Sequence, residues 1–168
     1  MHILQVERLC KSFGGLAAVS EVDFIVNQGD VLGLIGPNGA GKTTLFNLLS
    51  GALVPDSGTA RFKSQVISRL KPHQICRLGM ARTFQNVKTF QNMTVLQNVL
   101  VGALFGKPAA VPFDEAQRRA RQAVEFVGLS DAMHKPAKAI NLASPKRLEV
   151  ARALATGPEL LLLDEMMA

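Results

Sequence analysis

Apolar and polar residues alternate along residues 3–13 and again along 17–26, the period of strands that bury one face. Glu21, Asp23 and Asn27 interrupt the apolar positions of the second run, and Gln28-Gly29-Asp30 reads as a turn. Val31-Leu32-Gly33-Leu34-Ile35 is an unbroken apolar run and predicts a buried strand. A helix is predicted from Thr44, with Gly51 as its cap. Pro55-Asp56-Ser57-Gly58 is a turn, followed by a short strand over 59–62. Pro72 suits the first turn of a helix that runs to about Leu78 and stops at Gly79. Residues 80–85 read as a strand. From Thr94 the period becomes helical, with Val95, Leu96, Val99 and Leu100 on one face, until Gly106-Lys107-Pro108. Asp114 is the expected N-cap of a helix over 115–127, ended by Gly128. Pro145 opens a last helix through Ala155, and the apolar residues 160–163 predict a buried strand running into Asp164-Glu165.

Between the apolar run at 31–35 and the helix lies Gly36-Pro37-Asn38-Gly39-Ala40-Gly41-Lys42-Thr43. It matches the phosphate-binding pattern G-x-x-x-x-G-K-[ST] at every position. Strand, glycine loop and helix N-terminus together make an anion trap, because unpaired backbone N–H groups and the positive end of the helix dipole converge there. Glycines let the backbone approach phosphate oxygens where a Cβ would clash. Lys42 is the candidate to hold the terminal phosphates, and Thr43 to offer its hydroxyl to Mg²⁺.

Composition narrows the class. At 168 residues, 48% hydrophobic and 19% charged, the chain is long enough for one domain with its own core. No apolar run approaches the roughly 20 residues of a membrane span. The first residues lack the basic start and continuous apolar stretch of a signal peptide, so a cytosolic protein is expected. Cys10 and Cys76 are isolated and are expected to be buried small hydrophobes. The net charge of +6 could favour an anionic partner. Its densest cluster, Arg118, Arg119 and Arg121, shares a predicted helix with Ala116, Ala120 and Ala123 and reads as a solvated face. With no Trp or Tyr, and with phenylalanines that do not interleave regularly with basic residues, a base-stacking surface is not indicated and no nucleic-acid partner is expected.

The strand ending in Asp164-Glu165 supplies what a phosphate-loop NTPase needs opposite its glycine loop: an acid near the metal and a second acid able to polarise water. With both halves present, the chain resembles the ATP-binding subunit of an ABC transporter. Phe13-Gly14-Gly15-Leu16-Ala17-Ala18-Val19 resembles the segment whose aromatic stacks on adenine, with Phe13 the candidate. Arg82-Thr83-Phe84-Gln85 resembles the Q-loop, whose glutamine meets Mg²⁺ and the attacking water. Arg147-Leu148-Glu149-Val150-Ala151-Arg152-Ala153-Leu154 resembles the helix after the family signature. Residues 79–87 and 93–99 look most like importers of branched-chain amino acids, with amide and urea importers close by.

The resemblance implies an α/β fold: a P-loop NTPase (RecA-like) ABC ATPase core with a small antiparallel β region and a helical subdomain, incomplete at the C-terminal end. The expected divisions are 1–85 for the first part of the core, 86–156 for the helical subdomain and 157–168 for the return to the core. ATP and Mg²⁺ are the implied ligands. Gly36, Pro37, Asn38, Gly39, Ala40, Gly41, Lys42, Thr43 and Thr44 form the phosphate loop, and Thr43, Gln85 and Asp164 arrange the metal. Lys42, Gln85 and Glu165 are the catalytic candidates, with Glu165 as general base. The implied partners are a second ATP-binding subunit and membrane-spanning permease subunits, on the cytoplasmic face of the cell membrane.

Two departures set limits. The family signature reads close to L-S-G-G-Q, whereas this chain has Ile140-Asn141-Leu142-Ala143-Ser144. Both glycines are replaced, and Asn141 is the candidate to donate in place of the usual serine. The chain also stops three residues after Glu165, before the histidine that the family places near the γ-phosphate. An N-terminal fragment that binds nucleotide, without a transport role and with little or no hydrolysis, is therefore the alternative expectation.

Overall fold

A computed structural model of the chain describes residues 1–84, 89–141 and 144–164, Ser144 by its backbone alone. The chain divides into two compact units, Met1–Ile75 and Cys76–Ala168.

In the first unit the alternating pattern folds as expected. β1 (His2–Phe13) and β2 (Leu16–Asn27) pair antiparallel through a turn at Gly14 and Gly15, both with positive φ. β3 (Ser57–Phe62) adds to the other edge of β1, and β4 (Gln65–Val66) to β3, giving the order β2-β1-β3-β4. Ile3, Leu4, Val6, Leu9, Val19, Val26, Ala60 and Phe62 bury one face. Between β2 and β3, helix α1 (Lys42–Leu49) buries Leu45, Leu48 and Leu49, the spacing of one helical stripe. Gly58 is obligatory where β3 begins: its φ is 79°, and a Cβ would strike the Arg8 carbonyl.

The apolar run at residues 31–35 departs from expectation. It forms no strand, and Val31 and Ile35 are 100% and 95% exposed. Hydrophobicity selects residues that tolerate burial, but a strand exists only when neighbours satisfy its N–H and C=O groups. None of the described strands pairs with this run. The cysteines are also less buried than expected, both being half-buried. Cys10 lies beside a bulge between β1 and β2, where Arg8 and Glu21 adopt positive φ and the Glu21 N–H donates to the Cys10 sulfur.

Helix α2 (Pro72–Leu78) ends at Gly79 (φ 109°) and leads to the second unit's strand β5 (Met80–Arg82). Three helices follow: α3 (Val95–Phe105), α4 (Phe113–Phe126) and α5 (Ser144–Ala155). The chain then returns as β6 (Leu160–Leu162), parallel to β5. Val95, Val99, Ala103, Ala116, Ala120, Ala123, Val124, Leu148, Ala151 and Ala155 form a common helical core. The many alanines bring the helix axes close. At Gly102 even a methyl would meet the Arg152 carbonyl across the α3–α5 contact. Thr94 caps α3 by a reciprocal capping box with Gln97. The start of α4 differs from expectation: the cap position is Pro112, and Asp114 sits inside the first turn beside Glu115. There both acids still favour the positive helix end. Arg118 and Arg119 bond Glu115 on the solvated face, as the spacing of the alanines predicts.

Candidate functional site

The glycine loop is shaped by backbone that only small residues permit. Gly39 and Gly41 both have left-handed φ, 83° and 82°. Gly41 occupies the cap position of α1, and a Cβ on it would run into the Ala18 carbonyl of β2. A Cβ on Gly36 would sit 3.2 Å from that of Ala40. The Ala40 N–H closes a tight turn onto the Pro37 carbonyl at 3.2 Å. No side chain caps α1 and no acid lies in its first turn, so the first N–H groups of the helix are left to an external acceptor. The Lys42 ammonium folds across the loop and donates to the Gly36 and Pro37 carbonyls, at 2.6 and 2.7 Å. Thr43 and Thr44 stand half-buried in the same first turn. The N-terminal end of α1, with the positive pole of its dipole, and the Lys42 ammonium thus belong to one loop.

Phe13 ends β1 with 48% of its surface exposed, so it is not a core residue. Lys11 lies 5.6 Å from its ring centroid. The hairpin that carries Phe13 is the one whose Ala18 abuts Gly41, with Lys11 paired to Val19 and Phe13 to Leu16. An open aromatic face and a phosphate-type loop therefore belong to one layer of the first unit.

In the second unit, Asp164 follows β6 and is buried. The Thr83 N–H donates to the Leu162 carbonyl at 3.0 Å, and the Asp164 N–H donates to the Thr83 hydroxyl at 3.1 Å, extending the β5–β6 ladder by one step. The Asp164 carboxylate accepts from Arg82 at 3.0 Å, both side chains being 5% exposed. The Arg82 guanidinium also lies 5.2 Å from the Phe84 ring centroid. The Phe84 N–H donates to Glu149, a carboxylate buried on α5, at 3.1 Å. Burial pushes the Glu149 pKa up, against the opposing pull of the Phe84 N–H, Arg152 and Arg82.

Gln85, Glu165, Leu142 and Ala143 lie outside the described residues. Asn141 is exposed just ahead of α5. Arg82 as the partner of Asp164, Asn98 as a buried side chain, Glu149 as a buried carboxylate and the Thr94 cap emerge only in the folded chain. Thr94-x-x-Gln97 is a capping-box signal that the sequence does carry. For the other three, residue type and spacing hold no comparable cue. Among the described residues no helix is long and apolar enough to cross a membrane.

Residues 19–168 match the family model described as ABC transporter. The high-affinity branched-chain amino acid transport ATP-binding protein BraF of Pseudomonas aeruginosa is 40% identical over 99% of this chain and 70% of its own length. The probable branched-chain amino acid transport ATP-binding protein LivG of Methanocaldococcus jannaschii is 35% identical over 100% of this chain and 69% of its own. The ADP conformation of an ATP-binding cassette from an ABC transporter superposes with a TM-score of 0.87 at 35% identity, covering 100% of this chain and 70% of that one. A nucleotide-free cassette superposes with a TM-score of 0.85 at 33% identity, with the same coverage. With the family model spanning nearly the whole chain, the protein belongs to the ABC transporter ATPase family, as an ATP-binding subunit.

Proposed function

We propose that this subunit couples Mg-ATP hydrolysis to the movement of a small solute, branched-chain amino acids or a related amide. It would work as one of two ATP-binding subunits on the cytoplasmic face of membrane-spanning permeases. The observation that carries the reading is the glycine loop: left-handed Gly39 and Gly41, an α1 without a side-chain cap, and the Lys42 ammonium folded over the same loop. The names of BraF and LivG support the solute class.

In this reading residues 1–85 and 157–168 belong to the ATP-binding core and 86–156 to the helical subdomain. Phe13 stacks on the base. N–H groups of residues 39–44 hold the β-phosphate, and Lys42 releases its two carbonyls to neutralise charge that develops on the γ-phosphate. The hydroxyl of Thr43 and the carboxylate of Asp164 are hard oxygen donors of the kind Mg²⁺ takes, with Gln85 as a further oxygen. Mg²⁺, when bound, offsets charge on the β- and γ-phosphate oxygens. Glu165 accepts a proton from water as its oxygen attacks phosphorus in line, while the bond to the bridging oxygen breaks. Asn141 donates toward the γ-phosphate held by the second subunit.

Equilibrium binding of a fluorescent ATP analogue tests the loop. Lys42→Ala is expected to abolish it, and retention of wild-type affinity would refute the assignment. Glu165→Gln is expected to keep binding and block phosphate release. Wild-type binding with no turnover would instead favour the nucleotide-binding fragment, which the loss of both signature glycines makes the second reading. Stimulation of turnover by leucine, isoleucine or valine in a reconstituted transporter tests the solute class.

A further inference from the structure

The Asp164 carboxylate already has a cation against it. β5 and β6 run parallel with Arg82 opposite Leu162, and side chains two residues apart share a sheet face. Arg82, Phe84 and Asp164 are thereby directed to one face at the end of the ladder. Arg82 Nη2 donates to Asp164 Oδ2 at 3.0 Å, and both side chains are 5% exposed. The Asp164 N–H donates to the Thr83 hydroxyl at 3.1 Å, which ties the backbone bearing the carboxylate to the end of β5. Among the described residues no donor meets the other carboxylate oxygen, Oδ1. The guanidinium also has a second seat. It lies 5.2 Å from the centroid of the Phe84 ring, a side chain that is half exposed. Its charge also acts on Glu149, a buried carboxylate of α5 that accepts the Phe84 N–H. Arg82 thus stands between two buried acids, in direct contact with Asp164.

A carboxylate matched in this way binds a metal ion against resistance. A divalent cation at Oδ1 would sit beside the guanidinium with little water to screen the repulsion, and one at Oδ2 would need the place of the guanidinium itself. We propose that Arg82 competes with the divalent cation for Asp164: it neutralises the carboxylate when no metal is bound and yields toward Phe84 and Glu149 when Mg²⁺ binds. Metal binding is thereby weakened, and Asp164 is never left buried without a cation. Arg82 acts through Asp164 and is a positioning residue that sets how strongly nucleotide binding depends on metal. The inference rests on the reading of Asp164 as a metal carboxylate of the ATP site.

The test reads metal linkage. The affinity of the full chain for a fluorescent ATP analogue is measured in excess Mg²⁺ and again in EDTA, and the Mg²⁺-to-EDTA ratio is compared across variants. A variant that is merely less folded loses apparent affinity equally in both, so a structural defect cancels in the ratio. Arg82→Met and Arg82→Gln remove the charge, and each is expected to raise the ratio by about tenfold or more. Gln keeps a donor for Asp164 and serves where the Met variant does not fold. Arg82→Lys keeps the cation and is expected to stay within about threefold of the wild-type ratio. Adding Asp164→Asn to Arg82→Gln removes the contested carboxylate and is expected to return the ratio to the wild-type value or below it. An unchanged or lower ratio in Arg82→Gln, or an equal rise in Arg82→Lys, would overturn the proposal. Absence of analogue binding in the wild type, or binding that survives Lys42→Ala, would refute the nucleotide reading itself, and the competition at Asp164 with it.

Discussion

Removing Arg82 should be the most damaging single change outside the glycine loop. Its guanidinium meets the Asp164 carboxylate at 3.0 Å with each side chain 5% exposed, so neither charge is shared with solvent. Arg82→Met fills the volume but leaves a buried carboxylate without its cation. Breaking such a pair costs about 3–5 kcal/mol. Loss of the contact with the Phe84 ring adds about 0.5–2 kcal/mol. For a chain of this size about 1 kcal/mol moves Tm by ~2–4 °C, so a fall of roughly 7–28 °C is expected. The chain has no Trp or Tyr, so unfolding is followed by far-ultraviolet circular dichroism. The double replacement Arg82→Met with Asp164→Leu should recover most of the loss, because two packed apolar groups replace a desolvated pair at little net cost. A loss below about 1 kcal/mol for Arg82→Met, the range of a solvent-exposed pair, would refute the reasoning.

Gly41→Ala should abolish nucleotide binding, since its left-handed φ and the Ala18 carbonyl leave no room for a methyl; unchanged affinity for a fluorescent ATP analogue would contradict the loop geometry. Thr94→Ala removes the cap of α3 and should cost about 1 kcal/mol in urea unfolding, with a shift in midpoint at constant slope. In acid, the bonds from Lys11 and the Ser12 N–H to Asp56, and from Arg118 and Arg119 to Glu115, hold both carboxyls below their ordinary range. A lowered folded pKa stabilises above the unfolded value and is lost as pH falls through the folded one, so Tm should drop below the ordinary carboxylate range and less so in Glu115→Gln. Glu149 has the opposite sign: its raised pKa means that stability falls as pH rises through it, so Glu149→Gln should flatten the profile on that side of the carboxylate range.

Much of this protein is local and was legible as such. The period of residues 3–13 and 17–26 specified strands, and the spacing of Val95, Leu96, Val99 and Leu100 a helix, because a repeat of two or 3.6 already states which face is buried. The glycine loop was legible for the same reason: its function resides in the φ angles of successive residues, which Gly39 and Gly41 dictate themselves. Tertiary structure alone decided the rest. Residues 31–35 are apolar enough for a core strand, yet a strand's hydrogen bonds come from neighbours, and no described strand provides them. The pairing of Arg82 with Asp164, and of Glu149 with the Phe84 N–H, joins residues far apart in sequence. A buried polar side chain is defined by the partner that satisfies it, and that partner exists only once the helices have packed.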